Sequence, residues 1–425
     1  MNSDDLLAHD MVLDEEIRVP DSTAPPPTPR VPQEVLLTGA TGYLGGRMCR
    51  TLLERTSATV YCLVRGARPH ARLVERLEAA HDPQGPDLDI SRLVTVPGDF
   101  TRQRLGLDPD VYDELASRVE SVYHCGASID LGDPYRVIRV PNVVGVTQML
   151  RFATHRRLKF LHHTSSFAIF VAAAGCGVQA IDETTRPAIA YAGPGGYARS
   201  KSVAEHLLYQ AAERGLPTAI YRVAVLAPDP DSPVPPSAAA QLFATYVRAL
   251  TQVGAVPEGG EMVGCTVGYA SRAITELSVQ LPAEPFAAAP SVHHVIDPSP
   301  LALEDLARAL RSTGHPIASL APEQWLERLA AHRSRGPARR LAAMPDIWPL
   351  LTGAFFPPIH VGGLQRLAAA GVAPTSLDHD TLTRITHDTL GSETSQSNPK
   401  ELHGRRRTGA VCSTEQISEK SRDQS

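Results

Sequence analysis

Tyr197 and Lys201 stand four residues apart in Gly196-Tyr-Ala-Arg-Ser-Lys-Ser-Val-Ala-Glu205, a stretch that reads as the opening of a helix. On a helix that spacing brings the phenol and the ammonium to one face. A tyrosine with its usual pKa of about 10 is a poor acid–base group at neutral pH. A neighbouring ammonium favours the phenolate and lowers that value. Only four of the 41 basic side chains are lysines: Lys159, Lys201, Lys400 and Lys420. A lysine inside the folded body therefore marks a place where a compact ammonium serves and a forked guanidinium does not. Ser165-Ser166 follows the expected strand Phe160–Thr164, where a hydroxyl could hold a carbonyl beside the tyrosine. Proton transfer to a carbonyl oxygen is the chemistry these side chains share.

A second group of residues points to a nucleotide. Thr38-Gly39-Ala40-Thr41-Gly42-Tyr43-Leu44-Gly45 follows the short apolar strand Val35–Thr38 and opens a helix in which Leu44, Met48 and Leu52 recur every four residues. In that context Gly39 permits a tight turn, Gly42 lets the backbone approach a pyrophosphate, and Gly45 allows close helix–strand packing. The helix start offers free N–H groups and a positive dipole end to the phosphates. The next strand ends Leu63-Val64-Arg65-Gly66-Ala67-Arg68, without the acid that a dinucleotide site uses to bind ribose hydroxyls. A guanidinium at Arg65 suits a 2′-phosphate, so the expected cofactor is NADP(H).

The elements that must position these residues alternate. Strands are expected at Thr59–Val64, Leu93–Val96, Ser121–Tyr123, Phe160–Thr164 and Ala219–Leu226, with helical stretches between them. That pattern implies an α/β fold, a Rossmann-type doubly wound parallel sheet whose strand ends border the ligand crevice. After Leu226 comes the turn-rich bridge Pro228-Asp229-Pro230-Asp231-Ser232-Pro233, followed by a smaller, mostly helical lobe with its clearest helices at Leu303–Leu310 and Pro322–Leu329. The expected organisation is a disordered leader over 1–33, an NADP-binding domain over 34–226, and a substrate- or carrier-facing lobe over 227–390. Val292–Ile296 is expected to return to the sheet, and 391–425 to be a disordered tail.

Composition narrows the class. The 425 residues are 43% hydrophobic and 20% charged, as in soluble globular proteins, and the net charge of -5 gives no reason to expect nucleic-acid binding. No apolar run approaches a membrane span and no signal-peptide pattern opens the chain, so a cytoplasmic location is expected. Cys49, Cys62, Cys125, Cys176, Cys265 and Cys412 lack the spacing of a metal site or a disulfide framework. His162-His163 and His293-His294 fall in expected strands, where neighbours point to opposite faces, so neither pair reads as a metal site. Five arginines crowd into Arg328–Arg340, a segment that could steer an acidic partner.

The Gly-rich turn, the serine pair and Tyr-x-x-x-Lys together resemble the extended short-chain dehydrogenase/reductase family. Further stretches are similar to the thioester reductase domains of nonribosomal peptide synthetases and carboxylic acid reductases: Val60-Tyr-Cys-Leu-Val-Arg65, Val96-Pro-Gly-Asp99-Phe100, Val122-Tyr-His-Cys-Gly-Ala127 and Phe160-Leu-His-His-Thr-Ser-Ser166. The resemblance covers about residues 34–390 and includes Trp325. It implies that Ser166, Tyr197 and Lys201 form the catalytic set, and that Gly39, Thr41, Gly42, Tyr43, Leu44 and Gly45 bind the cofactor together with Tyr197 and Lys201, the lysine reaching the ribose. Arg65 and Arg76 would hold the 2′-phosphate, Asp99 and Phe100 would border the adenine, and Gly126 and Ala127 would lie near ribose and phosphates. Asn142 matches a cofactor-side asparagine that supports the active-site helix.

Two departures stand out. Val223-Ala224 follows Tyr221-Arg222 where the family continues Pro-Gly, and Thr266-Val267-Gly268 replaces Pro-Val-Asp. The implied activity is NADPH-dependent reduction of an acyl thioester, on a separate carrier's phosphopantetheine or on coenzyme A, to an aldehyde or on to the alcohol. With no room for adenylation or carrier domains, a stand-alone enzyme is expected. Another extended dehydrogenase (a sugar epimerase or dehydratase, or a steroid-type enzyme) and a catalytically silent NADP-binding regulator are the rival readings.

Overall fold

Seven parallel strands form the centre of the molecule. A computed structural model describes residues 3–19, 31–79, 88–230, 242–281, 288–332, 336–343, 348 and 356–391. The strands are β1 (Glu34–Thr38), β2 (Thr59–Val64), β3 (Leu93–Pro97), β4 (Ser121–His124), β5 (Phe160–Ser166), β6 (Thr218–Val223) and a seventh, Ser291–Val295. Their spatial order is β3, β2, β1, β4, β5, β6, then Ser291–Val295. The order reverses between β1 and β4, which pair from Val35–Ser121 to Thr38–His124. That reversal opens a crevice at the carboxyl ends of β1 and β4, the place where doubly wound sheets take ligands.

Apolar runs such as Val35-Leu36-Leu37 are buried because helices cover both faces of the sheet. On one face lie α2 (Tyr43–Arg55) and α3 (Pro69–Ala79). Leu44, Met48 and Leu52 of α2 are buried there among Val35, Leu37, Val60 and Cys62. The other face carries α4 (Pro109–Arg118), α6 (Gly145–Thr154) and α7 (Gly196–Glu213), packed on Leu36, Val122 and Leu161. Two features depart from the sequence expectation. The run Ala219–Leu226 is broken at Ala224: β6 stops at Val223, and Val225–Ala227 pairs instead with Gly264–Thr266. The helix α9 (Val267–Val279), expected in the second lobe, packs its Tyr269, Ala273 and Ile274 onto the α2 face of the sheet.

The second lobe has its own core. Helices α8 (Leu242–Val253), α10 (Leu303–Ser312), α11 (Pro322–Ala331) and α12 (Gly336–Ala342) bury Phe243, Leu250, Leu306 and Leu329 together. Trp325 is buried among them and donates its indole N–H to the Ala255 carbonyl at 3.0 Å.

The leader expectation over 1–33 needs correction for residues 3–19. Helix α1 (Ser3–Asp10) and the segment after it bury Leu7, Leu13 and Ile17 against α5 (Tyr135–Arg139), α6 and α7. Asp10 accepts from Arg139 and the Tyr135 hydroxyl, and Asp14 from Arg151. Gln210 and Arg214 of α7 satisfy the segment's backbone, Gln210 donating to the Met11 carbonyl at 2.7 Å and Arg214 to that of Asp14 at 2.6 Å. The acids and the following prolines suggested an unpacked leader. Yet the acids are counter-charges to arginines, and the few apolar residues suffice because a helix surface waits for them. The Pro-rich stretch, the tail after Gly391, and Arg333 and Arg335 of the arginine-rich segment lie outside the described residues. No helix among the described residues is long and apolar enough to cross a membrane.

Candidate active site

The Gly-rich turn leaves β1 and enters α2 under strong steric constraint. Gly39 has φ of +77°, and a Cβ there would stand 2.7 Å from the Gly126 amide nitrogen. A Cβ on Gly45 would stand 2.1 Å from the Gly39 carbonyl oxygen, so α2 can approach the turn only with glycine here. The Gly42 N–H closes the turn onto Gly39 O at 2.7 Å, and Gly42 caps α2. The first-turn N–H groups that follow, from Tyr43 to Gly45, have no acceptor within the helix. Thr41 lies in this turn partly exposed, and Leu44 is buried beneath it.

The two expected phosphate arginines are placed differently. Arg65 follows β2 with its side chain exposed, while its carbonyl anchors Arg72 at 2.6 Å. Arg76 is buried and turned onto the Gly-rich turn. It donates Nε to Gly42 O at 2.9 Å and Nη2 to Tyr43 O at 3.1 Å, with its guanidinium over the Tyr43 ring. Gly46 leaves the room for it, since a Cβ there would stand 2.6 Å from Arg76 Nε. Its Nη1 is buried with no partner among the described residues. An orphaned cationic donor beside free helix N–H groups calls for an anion. The turn therefore fits the phosphates of a dinucleotide.

The neighbouring strand ends complete the cradle. Asp99 Oδ1 accepts from the Thr101 N–H and hydroxyl at 2.9 and 2.8 Å. The Phe100 ring is wedged between two glycines, 2.6 Å from where a Gly126 Cβ would lie and 2.7 Å from one on Gly145. Gly126 N donates to Thr38 Oγ1 at 3.2 Å, and Ala127 beyond it is exposed.

Across the crevice, α7 starts tightly packed: a Cβ on Gly196 would stand 2.3 Å from Asp133 O. One residue on, the Tyr197 phenol lies near enough to the Ser166 side chain for that hydroxyl to oppose the effect of burial on it. Ser166, at the end of β5, also accepts from the Ala168 N–H at 3.1 Å, which fixes its oxygen. Lys201 is buried one turn below Tyr197. Its Nζ donates to Thr164 O at 2.6 Å and lies 3.3 Å from His163 Nε2. Burial draws the Lys201 ammonium down to about 8, with Glu205 and Cys125 pulling the other way.

The phenol corrects a sequence expectation. Burial raises the Tyr197 pKa and Ser166, not Lys201, opposes it, so the hydroxyl is held protonated. A protonated phenol is the form that can donate.

Asn142 sits behind this arrangement. Its amide nitrogen donates to Ser128 O at 3.0 Å and Ser200 Oγ at 2.9 Å, while its oxygen accepts from Ser128 N at 2.8 Å. These bonds tie α7 to the loop after β4, a supporting position rather than one open to a cofactor.

Sequence reasoning missed a buried ion pair under the site. Glu205 and Arg222 have fully buried side chains joined at 2.8 Å, and Ser165 donates to Glu205 at 2.5 Å. Arg222 also donates to Thr185 O at 2.9 Å and lies over the Phe170 ring. The continued four-residue spacing Tyr197, Lys201, Glu205 was the available signal. Also missed was Asp229, whose carboxylate accepts from Gly268 N at 2.9 Å and pairs with Arg47 of α2 at 3.5 Å. A Cβ on Gly268 would stand 2.4 Å from that carboxylate. The Gly268 departure thus makes room for an acid at the start of α9 that arrives from another segment.

Comparison with known proteins agrees with this geometry. Residues 37–269 match the family described as Male sterility protein, an NAD-binding domain. A linear gramicidin synthase polypeptide of Brevibacillus parabrevis is 31% identical over 302 residues, 69% of this chain and 6% of that protein. Isonitrile lipopeptide synthase of Streptomyces coeruleorubidus is 30% identical over 394 residues, 89% of this chain and 26% of that protein. The chain thus spans about a quarter or less of these two relatives. The crystal structure of the terminal R domain from the myxalamid PKS-NRPS biosynthetic pathway superposes with a TM-score of 0.77 and 26% identity, over 95% of this chain and 100% of that one.

Proposed function

The chain belongs to the male sterility protein family of NAD(P)-dependent oxidoreductases and resembles the reductase domains of peptide and polyketide–peptide synthetases, and from that premise we propose that it is an NADPH-dependent thioester reductase. Its substrate is an acyl thioester, on a carrier's phosphopantetheine or on coenzyme A, and its product is the aldehyde. The observation that carries this reading is that Ser166, at the end of β5, acts on Tyr197 of α7 while Lys201 of the same helix donates to Thr164 O of that strand at 2.6 Å.

NADPH would be held by the turn from Gly39 to Gly45, with Arg76 Nη1 toward its phosphates and Arg65 toward the 2′-phosphate. When bound, it supplies the hydride. Ser166 and Tyr197 donate hydrogen bonds to the thioester carbonyl oxygen, and such preorganised donors matter most as negative charge develops on it. Tyr197 delivers its proton to that oxygen. Lys201, below it, stabilises the phenolate left behind and reaches the ribose. Loss of the thiol from the resulting hemithioacetal leaves the aldehyde. Turnover of an acyl thioester with NADPH, and none of a nucleotide sugar, is the expected assay result; the reverse would replace the reading with that of an epimerase.

Two expectations follow from individual residues. Arg65→Ala weakens NADPH binding by about 1.5–3 kcal/mol, the loss of one charged hydrogen-bonding partner, and leaves NADH binding unchanged. Titration of both cofactors checks this, and equal affinities in the unmodified protein contradict the assignment. The second concerns pH. The Lys201 ammonium is drawn down to about 8 by burial, so its charge is complete below that pH and is lost above it. The rate at saturating cofactor therefore falls on the alkaline side of about pH 8. A rate that stays flat to pH 10 would remove Lys201 from the reaction.

A further inference from the structure

The Lys201 ammonium sits in a surrounding with no carboxylate of its own. Glu205, the acid nearest along α7, is engaged by Arg222 and Ser165. Cys125, after β4, is kept a neutral thiol by burial, which pushes it up to about 11. Tyr197 is held protonated. What Lys201 touches is the Thr164 carbonyl at 2.6 Å and His163 Nε2 at 3.3 Å. An ammonium has three protons and no lone pair, so Nε2 must accept and the ring proton must sit on Nδ1.

His163 is fitted to that single task. Burial, with Lys201 and His124 beside it, holds the imidazole well below its ordinary pKa, so it stays neutral. His124, on β4, lies 5.4 Å away ring to ring and is itself neutral, drawn down to about 3 by burial. Its Nδ1 is fixed to Thr38 Oγ1 at 2.7 Å, so it cannot turn away from His163. His163 Nδ1 is buried with no partner among the described residues. A buried imidazole with one nitrogen orphaned costs free energy that the fold tolerates only for what the other nitrogen does.

We propose that His163 is a positioning residue for the reduction, whose Nε2 accepts a hydrogen bond from one N–H of Lys201 and so aims the remaining N–H at the crevice. Thr164 O accepts from the second N–H, so His163 decides where the third points. The role rests on the proposed reductase function only for its effect on turnover; the effect on Lys201 itself is independent of substrate.

With only four lysines in the chain, labelling with 15N-lysine gives few enough Nζ signals to follow Lys201 directly, assigned by its loss in Lys201→Arg. The variants compared are His163→Phe, which keeps a planar ring without an acceptor, and His163→Gln, which keeps an acceptor near the Nε2 position. In His163→Phe the Lys201 titration midpoint falls by about one unit, because the charged form loses a hydrogen-bond acceptor. The alkaline limb of kcat, measured with NADPH and octanoyl-CoA, moves to lower pH with it, and kcat falls about tenfold or more. His163→Gln restores both toward the unmodified protein. Should His163→Phe fail to melt cooperatively, His163→Met takes its place. An unshifted Lys201 midpoint in the acceptor-less variant, or an equal shift in His163→Gln, overturns the proposal. If octanoyl-CoA is not reduced at all, coenzyme A thioesters fall as substrates, while the lysine titration still decides the role of His163.

Discussion

Tyr197→Phe reduces thioester turnover by roughly 10²–10⁴-fold, the range a positioned general acid contributes. The substitution removes one oxygen and leaves a ring of the same shape among partly buried neighbours, so α7 keeps its place. The hydroxyl is the proposed proton donor, and Ser166 cannot replace it, because a serine hydroxyl is too weak an acid. NADPH affinity should stay within a few-fold of the unmodified protein, since the substitution leaves in place the groups put toward the cofactor: the Gly-rich turn, Arg65 after β2, Arg76 of α3 and Lys201 of α7. Single-turnover kinetics together with cofactor titration separate the two effects. A variant with near-normal turnover would show that the proton comes from elsewhere. A variant that lost cofactor binding to the same degree as turnover would show that the ring, not the proton, mattered.

Arg222→Met destabilises the protein by about 3–5 kcal/mol, because it leaves the Glu205 carboxylate buried without its counter-charge. Both side chains are fully buried, so water cannot replace the guanidinium. The loss is measured by urea denaturation. A double variant, Glu205→Leu with Arg222→Met, should recover much of it, since an apolar pair of similar volume carries no uncompensated charge. The pair joins α7 to β6, and through Thr185 to the segment after β5. The single variant should therefore lose activity at temperatures below its unfolding midpoint. A destabilisation below about 1 kcal/mol would mean that the pair is not sealed from solvent as its burial implies.

How much of this was legible in the sequence depends on whether the signal was local. The Gly-rich turn was legible because each glycine answers to a constraint within seven residues: Gly39 to its own φ, Gly45 to Gly39 O. Strands such as Val35–Thr38 and Thr59–Val64 were legible because a strand buried on both faces tends toward a continuous apolar run. The break at Ala224 was not, because Val-Ala-Val looks the same inside one strand or between two sheets. Tyr197 and Lys201 were found by spacing, but the phenol's state was misjudged. Spacing puts two residues on one face without saying where the long lysine chain ends, and here it ends on Thr164 and His163. The histidine pair was weighed only for metal binding. Its two rings do face opposite ways: His162 stacks on Tyr123 and bonds Tyr221, while His163 faces Lys201. The packed segment over 3–19 escaped because its partners lie 125 or more residues away, as in Asp10 with Tyr135.

The same distinction explains Arg76 and Asp229. Local sequence identifies an arginine on the helix after β2, but not that its Nε and Nη2 fold back onto Gly42 and Tyr43, leaving one nitrogen for a ligand. Nor does it reveal that the acid missing at Gly268 is supplied by Asp229, 39 residues earlier.

The central claim is that Tyr197 and Ser166 serve hydride addition to a thioester carbonyl. Incubation with NADPH carrying deuterium at the transferable C4 position and an acyl group on a carrier's phosphopantetheine tests it most directly, with the product analysed by mass spectrometry. The account predicts one deuterium at the former carbonyl carbon of the released aldehyde, one free thiol on the carrier for each NADPH consumed, and no deuterium transfer by Tyr197→Phe. Release of the acyl group as an acid or a ring without deuterium, or consumption of NADPH without a free thiol, would contradict it.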